Sequence, residues 1–464
     1  MASPRPGRLQ NVLGLGFGLA GAVGGTIGAG ILRTPGLVAA ELGDPWLIWG
    51  IWIIGGLYAL LGAVAVAELA AALPRAGGWW IYAQRAFGPR LGLLTCWTDW
   101  LAHCIGLAWV ATTAGDYAAP LLPPHLQPVW LAPTLISKAI ALAVISLFSL
   151  VQLRGVKAGS TSQELLSLIK AVAFAALVVA CFALSPAHAT AATTPLPAPL
   201  SALTPISWPA LAAALVVALQ GVITTYDGWA SPAYFAEEFS DPARDLPRSL
   251  IGGVLAVLLL YLLINAGLLR VLPLAVLASS SLPAATAATA LIGPSGGVVI
   301  SGVALIALLG LINTAIMAAP RILYGLSTAG LLRLPVLAAV NSGGTPAPAL
   351  LLTSATAAAL VLLGNFERLL AMGAVLYVSL PLIGMASLLA LRVAEPDLPR
   401  PFRCWGYPLT PVLIAGGSLA FVIAAVAADP LSSLAALGLA ALAYPAATAT
   451  PAPASPVPPD SQEM

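Results

Sequence analysis

The chain has 464 residues, of which 60% are hydrophobic and only 8% are charged, and its formal net charge is +2 at pH 7. Soluble globular domains do not carry so large an apolar excess, and about 25% of their residues are charged. The composition therefore predicts a polytopic membrane protein embedded in a lipid bilayer, and the weak charge gives no basic patch for a nucleic-acid partner.

About twelve apolar segments are long enough to cross a bilayer as helices. We expect a transmembrane domain over residues 11–447, with helices 1–5 in 11–184, helices 6–10 in 208–391 and helices 11–12 in 408–447. The individual predicted helices are 11–37, 45–73, 91–117, 132–153, 162–184, 208–237, 247–272, 296–326, 346–363, 366–391, 408–426 and 431–447.

Basic residues of the predicted loops concentrate on one side of the membrane, where they include Arg75, Arg85, Arg154, Arg244, Arg392 and Arg400. The other side holds little beyond Arg270 and Arg368. The positive-inside rule then predicts a multi-pass protein of the cell membrane with both termini in the cytoplasm. Residues 1–10 form the cytoplasmic N-terminus, and residues 448–464, rich in Ala, Thr and Pro, form a disordered tail.

Predicted helix 1 contains the stretch Gly24-Gly25-Thr26-Ile27-Gly28-Ala29-Gly30, with four glycines in seven residues. One interpretation is close packing of small residues against a neighbouring helix. The other is a break in the helix at membrane depth, where free N–H groups must face protein or a wet cavity and attract an anion such as a carboxylate.

Predicted helix 6 carries a second interruption, Tyr226-Asp227-Gly228-Trp229-Ala230-Ser231-Pro232, in which Asp, Gly and Pro should open a membrane helix. The two breaks stand at matching positions of two five-helix halves. Interrupted helices in corresponding positions of an inverted repeat indicate a substrate site at the middle of a transporter.

Several short motifs then occur in a characteristic order from helix 1 to helix 11. They are Gly28-Ala29-Gly30-Ile31-Leu32, Ala67-Glu68-Leu69, Leu73-Pro74-Arg75-Ala76-Gly77-Gly78, Tyr226-Asp227-Gly228-Trp229, Ala236-Glu237-Glu238, Pro320-Arg321 and Gly406-Tyr407-Pro408. In this order the chain resembles the amino acid–polyamine–organocation family of permeases. The resemblance implies an all-α fold of the leucine-transporter type, with about twelve helices, a 5+5 inverted repeat and broken helices 1 and 6.

The resemblance also implies a substrate site. Main-chain N–H groups at the helix 1 break, from Thr26, Gly28, Ala29 and Gly30, would hold a substrate carboxylate, and carbonyls at the helix 6 break, from Thr224, Thr225, Tyr226 and Asp227, would hold its ammonium group. Ala29 replaces the serine of the family motif. Thr224 stands where many relatives have a gating aromatic residue, which makes Trp229 the candidate gating residue.

Lys170 lies about two turns into predicted helix 5. Ionisable residues at membrane depth are expensive and usually functional, so we expect Lys170 to take part in proton coupling. The alternative is a structural lysine that donates to helix 1 carbonyls.

Three further sets of polar residues leave alternatives open. Asp227 either caps the half-helix after the break or faces the substrate ammonium group. Asp99 and His103, four residues apart on helix 3, form either a structural pair or part of a proton path to Lys170. Five residues near inner helix ends form either an inner-gate ion network or a solvated surface; they are Glu68, Glu237, Glu238, Arg248 and Arg321.

The predicted function is secondary active transport of an amino acid or related amine by alternating access, with proton symport as the first interpretation and exchange as the second. A substrate-sensing receptor without net flux is a further alternative. The sequence has no catalytic or metal-binding motif, so we expect neither an enzyme nor a cofactor or metal. The predicted loop 117–131 lacks cysteine, so no disulfide-linked accessory subunit is expected.

Overall fold

The computed structural model of the protein describes residues 9–28, 30–122, 133–184, 208–332, 334–364 and 366–443. In these ranges the chain forms sixteen α-helices and no extended β-strand; one isolated parallel bridge joins Leu13 to Phe239. The predicted all-α class is confirmed. The predictions for the tail 448–464, for residues 1–8 and for most of the loop 117–131 lie outside the described residues.

The helices follow the predicted order. The first half contains α1 Leu15–Thr26, α2 Gly30–Leu42, α3 Pro45–Ala72, α4 Trp79–Phe87, α5 Pro89–Ala118, α6 Pro133–Leu153 and α7 Val156–Ala183. The second half contains α8 Trp208–Tyr226, a 3-10 helix Ser231–Glu238, α9 Pro242–Val271, α10 Leu274–Ser279, α11 Pro283–Ile292, α12 Pro294–Thr328, α13 Ala347–Leu363 and α14 Phe366–Ala394. Two more helices follow, α15 Leu409–Ala428 and α16 Pro430–Ala441.

By length and composition, eight described helices can each cross a membrane, and α1 with α2 makes a ninth span that is bent by 45°. Predicted helices 3, 9 and 12 correspond to α5, α13 and α16. Of these, α5 has 30 residues but carries Asp99 and His103 in its middle, and α13 and α16 are shorter, with 17 and 12 residues. The short helices α4, α10 and α11 between the spans were not predicted.

Three helices begin at an Asp-Pro dipeptide. Asp44, Asp241 and Asp429 are N-cap residues whose carboxylates accept backbone N–H bonds from the first turn, and each is followed by proline at the first helical position. An Asp cap satisfies an otherwise unpaired donor, and proline has no N–H to lose there. These local signals set where α3, α9 and α16 start.

Equivalent helices of the two halves pack against each other. The second span of each half pairs as α3 with α9, and the third as α5 with α12, and these are the most extensive helix contacts of the described chain. The broken first spans also meet, since α1 contacts the 3-10 helix Ser231–Glu238. Such reciprocal packing is what an inverted 5+5 repeat predicts.

One end of the bundle, here called the basic face, carries α4 and the segments 73–78, 239–241 and 395–408. On it the buried Glu68 carboxylate of α3 binds Arg392 at 2.7 and 2.8 Å and Arg400 at 3.1 Å, and it accepts the Cys404 N–H at 2.6 Å. One carboxylate therefore ties α3 to α14 and to the segment that leads into α15. The end that carries α10 and α11 is called the opposite face.

Replacing Glu68 by Gln should lower the free energy of unfolding by about 3 kcal/mol, because two guanidinium groups are left without their buried counter-charge. The measurement is unfolding of the detergent-purified protein by heat or denaturant. Glu395→Gln is the matched control, since Glu395 pairs with Arg85 where the side chains are 28% and 50% exposed; it should cost less than about 1 kcal/mol. Equal effects of the two substitutions would contradict this account.

Candidate functional site

The first helix break separates α1 from α2. Helix α1 ends at Thr26, Ile27 has an extended backbone with φ −75° and ψ 99°, and α2 starts at Gly30. The N–H groups in the first turn of α2 lack intrahelical acceptors, so they are available to a ligand at this depth. Ala29, one of the predicted binding residues, lies outside the described residues.

The second break lies between α8 and the 3-10 helix Ser231–Glu238. Helix α8 ends at Tyr226, and Gly228 adopts φ +100°, a conformation that residues with a Cβ rarely take. The Gly228 carbonyl accepts bonds from the N–H and the hydroxyl of Ser231, at 3.1 and 2.6 Å. Both predicted breaks are therefore present in the structure.

The two breaks approach each other through their main chains. A Cβ on Gly228 would lie 2.1 Å from the carbonyl oxygen of Gly25, and a Cβ on Gly25 would lie 2.4 Å from Oγ of Ser231. Gly24 packs in the same way on Gln163 of α7, where a Cβ would lie 2.0 Å from Nε2. Both interpretations of the glycine stretch therefore apply. Gly24 and Gly25 pack closely against neighbouring residues, and the helix break begins at Ile27.

Tyr261 of α9 joins the two breaks. Its hydroxyl donates toward the carbonyl of Thr26, at 3.2 Å, and toward that of Thr225, at 3.1 Å. A hydroxyl has one proton, so the two carbonyls share it. The Thr225 carbonyl, predicted to face an ammonium group, is thus already partly satisfied by the protein. Sequence reasoning missed Tyr261, because a tyrosine in an apolar helix gives no distinguishing signal.

Side chains of the second break bind neighbouring helices. Thr225 shares a 2.7 Å hydrogen bond with Thr34 of α2, which links the two half-helices beside the break. Tyr226 is buried against Trp52 and Tyr261, with ring centroids 5.9 and 5.0 Å away. Thr224 is exposed, and its hydroxyl donates to main-chain carbonyls of its own helix. Tyr226 therefore offers the site only its main-chain groups.

Asp227 is exposed although it lies at a break inside the bundle. The N-cap of the 3-10 helix is Ala230, so Asp227 does not occupy the capping position. Its carboxylate accepts the Gly228 N–H and lies close enough to His103 for a charge interaction. The interpretation of Asp227 as a cap is therefore not supported at this position, and the one in which its carboxylate faces the substrate ammonium group stays a prediction.

Asp99 and His103 form a buried pair. His103 Nδ1 lies 3.1 Å from Asp99 Oδ1, and that oxygen also accepts the Tyr234 hydroxyl at 2.9 Å. The imidazole packs against the rings of Tyr234 and Tyr377, with centroids 4.9 and 5.5 Å away. The pair joins α5 to the 3-10 helix and α14, which agrees with a structural role.

Lys170 is fully buried, and its ammonium group donates to three main-chain carbonyls. The distances are 2.8 Å to Gly24, 3.0 Å to Ile27 and 3.3 Å to Ala307. An ammonium group has three donors, so all of them are used. Lys170 therefore holds the end of α1 against α7 and α12, as the structural alternative requires.

Trp229 is buried on the basic-face side of the second break. Its ring packs on Gly62 of α3, where a Cβ would lie 2.8 Å away, and edge-on against Trp79 at the start of α4, with centroids 6.3 Å apart. The gating role of Trp229 stays a prediction, and in this arrangement its ring does not occupy the place of an aromatic residue at Thr224.

The basic face is closed beneath the two breaks. Arg321 of α12 binds the buried Glu238 carboxylate at 2.6 and 2.7 Å, and its guanidinium group stacks over Phe235 at 4.8 Å. Glu237 accepts the Ala76 N–H at 3.1 Å. Arg248 is exposed and belongs to no ion pair of the described residues, so solvation accounts for it. The expected network is thus divided into a Glu238 cluster and the separate Glu68 cluster.

Gly228→Ala should destabilise the protein by about 2 kcal/mol or more, because alanine strains the φ +100° conformation and its Cβ meets Gly25. Thermal unfolding in detergent measures the change. Gly21→Ala in α1 is the control, since a Cβ there meets nothing within 4 Å. A Gly228→Ala protein with the same unfolding temperature as the wild type would contradict the close approach of the breaks.

Among the described residues, no group of three or more His, Cys, Asp or Glu is placed to hold a metal ion. The four cysteines are free and buried. The polar groups described at the two breaks are mainly those of the main chain, together with the Asp227 carboxylate.

Comparison with known proteins agrees with this arrangement. The serine/threonine exchanger SteT of Bacillus subtilis (strain 168) is 26% identical over 429 residues, which cover 91% of this chain and 93% of that protein. The b(0,+)-type amino acid transporter 1 of Homo sapiens is 28% identical over 437 residues, covering 92% and 85%. The Asc-type amino acid transporter 1 of Mus musculus is 28% identical over 400 residues, covering 82% and 70%.

A family described as amino acid permease matches residues 12–443. The match covers both broken helices and nearly all of the described chain, and the helix order fits the leucine-transporter-type fold expected from the resemblance. The protein therefore belongs to the amino acid permease family, within the amino acid–polyamine–organocation transporters.

Proposed function

We propose that the protein is a secondary active transporter that moves amino acids across the cell membrane by alternating access. The proposal rests on one observation: the main chains of the two helix breaks pack directly against each other in the middle of the bundle. Between a closed basic face and an open opposite face, such breaks offer N–H donors and carbonyl acceptors to the two poles of one small molecule.

The substrate carboxylate binds the N–H groups at the start of α2, from Gly28, Ala29 and Gly30, where the helix dipole favours negative charge. The hydroxyl of Thr26 is bonded to the Ala22 carbonyl at 2.8 Å, so in this arrangement Thr26 acts through its main chain. The sharing of its carbonyl with Tyr261 positions the end of α1 beside the carboxylate.

The substrate ammonium group binds the carbonyls at the end of α8, together with the exposed carboxylate of Asp227. Thr225 and Thr224 take part less than expected, because the Thr225 carbonyl accepts from Tyr261 and the Thr224 carbonyl accepts the Asp227 N–H at 3.4 Å, which leaves Tyr226 and Asp227 as the main acceptors. A charged acceptor makes the stronger bond to an ammonium group, so Asp227 should contribute most.

The basic face is the cytoplasmic side, and both termini lie there. The positive-inside rule supports this orientation, since the arginines near the helix ends concentrate on that face. Opening toward the cytoplasm then requires the Arg321–Glu238 pair to separate and Leu13 to leave the segment 238–240, with Trp229 as the candidate gating ring.

The coupling is either proton symport or exchange. Lys170 was predicted to couple protons, but its three donors are engaged with carbonyls of Gly24, Ile27 and Ala307. A lysine bonded in this way has a structural role, which favours exchange over proton symport through Lys170. One relative is named a serine/threonine exchanger, which supports the same choice and suggests L-serine as the first probe.

Purified protein in liposomes preloaded with L-serine should take up labelled L-serine and ignore ethanolamine and 3-hydroxypropionate, which lack its carboxylate and its amine respectively. Asp227→Asn should raise the half-saturation concentration by about tenfold, because a charge-assisted bond to the ammonium group is lost. Asp397→Asn, at an exposed position of the loop before α15, is the control. Binding of amino acids without uptake of any would instead favour a receptor.

The coupling is tested with the same liposomes, either empty or preloaded with L-serine, and with or without an inward proton gradient. Exchange predicts uptake only into preloaded liposomes, whatever the gradient; symport predicts gradient-driven accumulation in empty ones. Lys170→Gln retains donors for the carbonyls, and Lys170→Ala removes them. Accumulation by either variant that still follows the proton gradient would exclude Lys170 as the coupling residue.

A further inference from the structure

Two neighbouring cavities open at the opposite face, and Arg33 of α2 lines both. The larger has a volume of about 490 Å³ and lies between α2, α5 and the start of α11. The smaller has a volume of about 380 Å³ and lies between α2 and α10. Their volumes fall within the range of small-molecule sites. Arg33 is a charged residue inside predicted helix 1, and its sequence context alone indicates no role for it.

Arg33 is held in place but keeps most of its donors. Its Nε donates to the Tyr117 hydroxyl at 3.1 Å, and its guanidinium group lies over the Tyr117 ring at 5.4 Å. In the described part of the chain no carboxylate pairs with Arg33, whereas Arg321, Arg392 and Arg85 each bind a glutamate. A guanidinium group with free Nη donors is suited to bidentate binding of a carboxylate.

A carboxylate of the protein lines the same cavity. Asp116 is exposed there, beside Tyr117 in the sequence, and the described residues include no ion pair between Asp116 and Arg33. Ser281 and Ser301 add hydroxyl groups, and Leu121 and Leu282 complete the wall. The cavity thus presents one cation and one anion that are unpaired among the described residues, together with hydroxyl and apolar groups.

We propose that this vestibule site binds a second amino acid zwitterion, with its carboxylate on Arg33 and its ammonium group on Asp116. The proposal rests on the proposed function, because it assumes that amino acids are the transported molecules. It adds a site outside the helix breaks, formed by side chains, whereas the site at the breaks is formed mainly by main-chain groups.

The position of Arg33 gives the vestibule site a direct relation to the site at the breaks. Arg33 follows Gly30 by three residues on the same helix, which is roughly 4.5 Å along the helix axis. The Arg33 side chain and the N–H groups at the start of α2 therefore belong to the same helix, and both attract a carboxylate.

The test is equilibrium binding of radiolabelled L-serine to the full-length protein in detergent, combined with uptake into liposomes. We expect two serine molecules per wild-type chain, and one per chain for Arg33→Gln and for Asp116→Asn. Half-saturation of uptake should rise about tenfold in both variants, because a charge-assisted bond is lost in each. Arg33→Lys keeps the charge without the bidentate geometry and should give an intermediate value.

Arg270→Gln is the matched control, since Arg270 ends α9 near the same face, contacts the Cys181 carbonyl and Phe182, and lines neither cavity. It should leave both the stoichiometry and the half-saturation concentration unchanged. Wild-type protein that transports L-serine but binds one molecule per chain overturns the vestibule site and leaves the proposed function intact. Two molecules bound by Arg33→Gln also overturns it, and absence of any amino acid transport by the wild type overturns both.

Discussion

The close approach of two interrupted main chains is the constraint on which the rest of the structure depends. Gly228 and Gly25 have no side chains, and this lets the break after α8 lie directly against the end of α1. The polar groups set free by the breaks cannot be satisfied by lipid, so other helices must surround them. Lys170 and Tyr261 do so from α7 and α9, and the two halves of the bundle are thereby held around one centre.

The charged side chains at the two ends of the bundle differ in burial and in pairing. On the basic face, Glu68 and Glu238 are buried with arginine partners, and they hold helices together. On the opposite face, Arg33 and Asp116 line a cavity, and neither has an ion-pair partner among the residues that the structure describes. Buried ion pairs need good geometry to offset the loss of water, while unpaired exposed charges remain available to a ligand. This asymmetry suits a conformation that is closed at one end and receptive at the other.

Much of the fold was predictable because it depends on strong local signals. Apolar segments of membrane length mark the spans, four glycines in seven residues mark the first break, and Asp, Gly and Pro mark the second. Tyr261, Arg33 and the short helices α4, α10 and α11 were missed, since their roles depend on which helices meet in space. Similarly, the sequence could not tell whether Lys170 is free or bonded, because three carbonyls from two other helices decide it.

Leu13 closes the basic face through two main-chain bonds, since its N–H binds the Glu238 carbonyl and its carbonyl binds the Ser240 N–H, both at 2.9 Å. This latch is a single bridge of two main-chain hydrogen bonds. When it opens, water can replace both hydrogen bonds at a small net cost in free energy, but the buried Leu13 side chain must also leave its contacts in the apolar core. Loss of this apolar burial, more than loss of the two main-chain bonds, therefore opposes the opening of the basic face.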